Sequence, residues 1–169
     1  GAHPAVSGKR HGVSFAVWAP HAASVSVIGD FNGWDPNEAP MEPLADSGIW
    51  ETFVPGAKKG DLYKFYITDE TGKGFAKADP YAFYSELRPG TASRIFDLSG
   101  FSWQDQEWMT KRPRKKPVTE PYAIYEVHPG SWKKHDGEGD SAFYSYRELA
   151  ESLSGYVKKM GYTHVELIG

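Results

Sequence analysis

The chain has 169 residues, a length for one domain or a domain and a fraction. Its 40% hydrophobic and 24% charged residues are an ordinary balance for a globular protein. A formal net charge of −3 leaves no electrostatic footprint for nucleic acid or an anionic membrane, so a neutral ligand is expected.

Residues 13–18 open the pattern, with Val13, Phe15 and Val17 alternating with Ser14, Ala16 and Trp18, the period of a strand. Residues 24–28 repeat it with Val25 and Val27 on one face. Asn32-Gly33 is a turn signal because both residues tolerate positive φ, and it presents Trp34. Residues 49–54 and 62–68 are further strands, and in the second Tyr63, Phe65 and Ile67 share one face while Lys64 and Tyr66 share the other. A turn at 71–74 and a strand at 93–98 end the series. Short strands at this spacing predict a β-sandwich over residues 1–100. Trp18 and Trp50, mid-strand, read as core or domain-interface residues.

Residues 101–121 read as a linker with a short helix at 103–109. The basic, Pro-interrupted run at 111–117 fits a solvated connection better than a phosphate site. Residues 122–169 then alternate strand, helix, strand. Ser145 and Glu148 form a capping box, and Leu149, Leu153, Tyr156, Val157 and Met160 mark one helical face. Gly161 stands where that helix stops. A βαβ unit belongs to a parallel sheet covered on both faces. This one leaves its strands uncovered, so self-association through them is expected.

No cysteine is present, which excludes disulfides, thiol chemistry and cysteine zinc sites and fits a cytoplasmic setting. No apolar run approaches the roughly 20 residues of a membrane span, and residues 1–10 lack the apolar centre of a signal peptide. The alternate acids at 135–140 imitate a calcium loop, but Ser141 and Arg147 stand where Gly and Glu are needed, so a solvated loop is expected. His128 and His164 read as structural. No metal or cofactor is expected.

Several segments resemble the bacterial glycogen-branching enzymes: FAVWAP at 15–20, GDFNGW at 29–34, GDLYKF at 60–65, KADPYAF at 77–83 and RPGTAS at 88–93. These are similar to that family's glycogen-binding module, carbohydrate-binding module family 48. YEVHPGSW at 125–132 and the run from Ser145 to Gly169 resemble the start of the same enzymes' α-amylase-type barrel. Pro129 is one departure, standing where the family has Leu. The opening Gly1-Ala2-His3-Pro4 also resembles a segment within these enzymes and reads as native chain.

The resemblance implies a mainly β fold: an immunoglobulin-like sandwich (1–100), a linker (101–121), then the truncated βαβ start of a TIM (β/α)8 barrel (122–169). It also implies a parent that transfers α-1,4-glucan segments to form α-1,6 branches in glycogen biosynthesis. That retaining double displacement needs paired carboxylic acids. The family carries them on barrel strands four, five and seven, beyond this chain. Glu126 and Glu166 match none of them, so no catalytic residue is assigned and this piece alone is expected to be inactive. The expected partners are an α-glucan, such as glycogen or a maltooligosaccharide, and the rest of the barrel.

A pyranose needs a flat aromatic for its C–H face and polar groups for its hydroxyls. Trp34 and Lys64 suit those roles and match the family's glucan-contacting Trp and Lys. By the same resemblance, Phe75 stands at the second aromatic position and Ser93 at an Asn position, which implies binding that is weakened or lost. Alternatives are the module of a debranching or trehalose-forming relative, a non-catalytic glucan-binding regulatory protein, and a spacer that only supports the barrel.

Overall fold

The computed structural model describes residues 1–114, 116–137 and 139–169. Its chain divides into two units, Gly1–Ser102 and Trp103–Gly169. Lys115, in the basic run, and Glu138, in the calcium-like loop, lie outside the described residues.

The first unit contains β1 (Ala2–Ser7), β2 (Arg10–Trp18), β3 (Ala22–Gly29), β4 (Glu42–Pro43), β5 (Ile49–Pro55), β6 (Leu62–Asp69), β7 (Gly74–Lys77), β8 (Tyr84–Ser85) and β9 (Ser93–Arg94). One sheet has the order β1-β2-β5-β4 and the other β3-β6-β9-β8, with β7 also against β6. Every pairing in both sheets is antiparallel.

Alternation decides what these sheets bury. Val13, Phe15 and Val17 of β2 and Val25, Val27, Tyr63 and Phe65 of β3 and β6 enter one shared core. Burying a side chain of this size contributes about 1.5–3 kcal/mol. Phe15 sits edge-on to Tyr63 at 5.1 Å, and Tyr63 edge-on to Phe65 at 5.9 Å, the arrangement aromatic quadrupoles favour. The two sheets form a β-sandwich.

Two readings change, one tryptophan stays as expected, and one strand is new. Trp18 is 67% exposed and not in the core. Trp50 does pack against the core, and its Nε1–H donates to Ala19 O at 3.0 Å. The strand expected over 93–98 makes ladder pairs only at Ser93–Arg94, because Ile95 bonds to the 60–61 turn instead. Strand β1 was hidden by Pro4, which lacks a backbone donor but is tolerated on an edge strand such as this one.

The second unit contains α1 (Gln106–Lys111), β10 (Ile124–Val127), α2 (Pro129–Trp132), α3 (Tyr146–Met160) and β11 (His164–Leu167). Strands β10 and β11 pair in parallel, Ile124 with His164 through Val127 with Leu167. Helix α3 starts where Ser145 Oγ accepts Glu148 N–H, while Glu148 accepts Ser145 N–H at 2.8 Å. It stops at Gly161, whose φ of 79° is left-handed. Leu149 and Leu153 pack with Val127 of β10. Ile124, Val165 and Leu167 stay exposed. No helix among the described residues is long and apolar enough to cross a membrane.

Candidate functional site

The site grows from the turn that leaves β3. Gly29 is required there, because a Cβ would stand 2.3 Å from Leu62 O. Asn32 ties the turn to itself: its Oδ1 accepts Gly29 N–H at 2.9 Å and its Nδ2 donates to Val27 O at 3.0 Å. Gly33 (φ 61°) and then Trp34 (φ 64°) both adopt the left-handed region. A bulky residue is rarely found there, and such strain persists only where surrounding contacts hold it. The indole Nε1–H donates to Asp30 Oδ1 at 3.2 Å. The other oxygen of Asp30 accepts Leu62 N–H at 2.8 Å. Asp30 therefore ties the Trp34 indole to the start of β6, leaving Trp34 36% exposed.

Lys64 lies two residues further along β6, on the face opposite buried Tyr63 and Phe65. Its Nζ donates to Thr91 Oγ1 at 2.7 Å. The structure thus brings Trp34, Leu62, Lys64 and Thr91 to one end of the outer sheet face.

The other two expected residues do not join them. Phe75 pairs opposite Ile67, on the core-side face of β6, with Lys77 Nζ 5.6 Å from its ring. Strand alternation puts it on the face away from Lys64. Ser93 is 1% exposed, and its Oγ accepts Asp79 N–H at 2.8 Å. Asp79 in turn accepts the Tyr63 hydroxyl at 2.5 Å and Tyr81 N–H at 2.8 Å. Burial, reinforced by the Asp79 carboxylate, pushes the Tyr63 phenol well above its usual range. Ser93 is a buried link in this chain of bonds and offers no surface to a ligand.

Sequence reasoning missed Asp30, Thr91 and Arg94. Arg94 pairs opposite both Leu62 and Tyr84, which places it on the outer face. Parity was the available signal: if Tyr63 faces inward, so does its partner Ser93, and Arg94 faces out. An aromatic face beside an ammonium and a hydroxyl suits a neutral, hydroxylated ring. Among the described residues no group of three or more His, Cys, Asp or Glu is placed to hold a metal.

Residues 1–82 match the family profile described as carbohydrate-binding module 48 (isoamylase N-terminal domain). The front unit is thus similar to the family 48 carbohydrate-binding modules over residues 1–82. Over its full length the chain is 52% identical to the 1,4-alpha-glucan branching enzyme GlgB of Butyrivibrio fibrisolvens, covering 100% of this chain and 26% of that protein. It is 54% identical over 157 residues to the enzyme of the same name from Protochlamydia amoebophila (93% of this chain, 21% of that one). The Bacillus subtilis counterpart is 48% identical over 168 residues, again covering 26% of that protein. The chain corresponds to the N-terminal part of branching enzymes and spans about a quarter of these curated relatives' length.

Solved structures agree in fold. The catalytic module of the glycogen-degrading pneumococcal protein SpuA aligns with a TM-score of 0.66 at 23% identity, over 99% of this chain and 26% of that one. Klebsiella pneumoniae PulA in its maltotriose complex aligns with a TM-score of 0.64 at 23% identity, over 100% of this chain and 20% of that one.

Proposed function

We propose that this chain is the glucan-binding front segment of a cytoplasmic branching enzyme, which moves α-1,4-glucan segments onto 6-hydroxyls to build α-1,6 branches. The observation that carries this reading is identity of about half to the named branching enzymes along the whole chain, tail as well as module. Residues 122–169 are then the first strand, helix and strand of a (β/α)8 barrel, with β10 and β11 as neighbouring parallel strands. Residues 1–100 are the module and 101–121 the linker. Catalytic acids come from later strands, so the segment binds and positions glucan without turnover.

Trp34 is the platform and Lys64, steadied by Thr91, the hydroxyl donor. The strained backbone of Trp34 supports this reading, because strain of this kind gathers at working sites. Ser93 acts as a positioning residue, fixing Asp79 beneath the face. Phase-separated from it by one residue of strand register, Phe75 makes no contact with the bound sugar in this arrangement. Titration of the chain with maltoheptaose tests the site. Binding that Trp34→Ala abolishes is the expected result; equal binding by both proteins, or none by either, contradicts it.

A further inference from the structure

Phe75 is turned away from Lys64, which leaves the proposed glucan site one aromatic short. The outer sheet face supplies another. Leu62, Arg94 and Tyr84 are direct register partners across β6, β9 and β8 and so form one row on that face. The row begins where Asp30 fastens Trp34 to Leu62. It ends at Tyr84, 53% exposed and backed by the Phe96 ring at 5.8 Å and 24°. Neighbouring strands lie about 4.8 Å apart, so the row runs ~10 Å beyond Leu62. That is the span of a short oligosaccharide rather than of one ring.

Arg94 occupies the middle. Its guanidinium lies 6.0 Å from the Tyr84 ring, and its Nη1 donates to Gly60 O at 3.0 Å. The guanidinium is thus held by one backbone carbonyl and one ring rather than by a carboxylate. It keeps donors for hydroxyls. Charge along these strands and turns is balanced, with Lys58, Lys59, Lys64, Arg88 and Arg94 against Asp30, Asp61, Asp69, Glu86 and Asp97. A balanced track with an aromatic at each end suits a neutral polyhydroxylated chain better than an anion.

We infer that the glucan site extends across the sheet from Trp34 to Tyr84, with Tyr84 as its second aromatic platform and Arg94 as the donor between them. The inference rests on the glucan-binding reading and adds a second subsite to it. The site takes a linear α-1,4-glucan long enough to reach both rings.

Isothermal titration of the chain with maltoheptaose and with maltose tests it, using Tyr84→Ala, Tyr84→Leu and Tyr84→Phe. Tyr84→Leu keeps an apolar cover over Phe96 and removes the flat ring. Affinity for maltoheptaose falls about three- to tenfold in the Ala and Leu variants and is retained in the Phe variant. Maltose, too short to bridge the row, binds all four proteins alike. Unchanged maltoheptaose affinity in both Tyr84→Ala and Tyr84→Leu overturns the second subsite; if Trp34→Ala still abolishes binding, the first site stands. No binding of either sugar by the unsubstituted chain overturns both.

Discussion

The buried Tyr63 hydroxyl donates to the Asp79 carboxylate at 2.5 Å, joining the start of β6 to the turn that follows β7. Asp79 belongs to the segment KADPYAF, and its other bonds reach Tyr81 N–H and Ser93 Oγ. A motif that reads as a family signature is thus a structural rivet under the outer sheet face. Replacing Asp79 by Ala leaves the Tyr63 hydroxyl buried without a partner, at a cost of about 1–3 kcal/mol. Thermal unfolding of Asp79→Ala against the unsubstituted chain measures it.

The same pair sets a pH dependence. The Tyr63 phenol is raised above its unfolded value, first by burial and then by Asp79. A group raised in the folded state contributes stability that is complete below its unfolded pKa, about 10, and is lost as pH rises above it. Denaturant midpoints therefore fall above pH ~10. Tyr63→Phe shows a shallower fall over that window, and an identical slope in both proteins contradicts the assignment.

Trp34 carries strain that glycine would not. At φ 64° a glycine is at ease, so Trp34→Gly removes the indole while relieving the backbone. Its unfolding free energy changes by no more than about 1 kcal/mol, since relief offsets the lost Asp30 bond. Maltoheptaose binding is lost. Chemical denaturation and calorimetry on one preparation separate the two effects.

Helix α3 depends on its first turn. Ser145→Ala removes the cap and costs the helix about 1 kcal/mol. The Glu148 carboxyl is held below its ordinary range, chiefly by the Ser145 hydroxyl. A depressed carboxyl contributes stability above its unfolded pKa and loses it as pH falls, so helical circular dichroism declines below pH ~4.3. In Ser145→Ala that acid-side decline is weaker.

Ile124, Val165 and Leu167 leave the β10–β11 pair with exposed apolar positions. Such faces associate when no other chain covers them. Sedimentation at rising concentration is expected to show self-association, and a clean monomer throughout contradicts it.

Much of this was legible in the sequence. The alternation in β2 and β6 placed Val13, Phe15, Tyr63 and Phe65 inside, and Ser145 with Glu148 marked the start of α3. Register was not legible. Ser93 and Arg94 form only two ladder residues, too few for a visible period, so the sequence does not show which of the two faces out. The family position of Phe75 carries no information about which face β7 presents. Asn32-Gly33 announced positive φ, but the turn shifts it one residue on, to Gly33 and Trp34, because the Asn32 side chain is spent on Gly29 and Val27.

The most direct test of the proposed function is proton NMR of amylose incubated with the full-length branching enzyme to which the proposal assigns this segment. New α-1,6 anomeric signal should grow at the expense of α-1,4 signal while the number of reducing ends stays constant. A rise in reducing ends without α-1,6 signal, or no change, contradicts it.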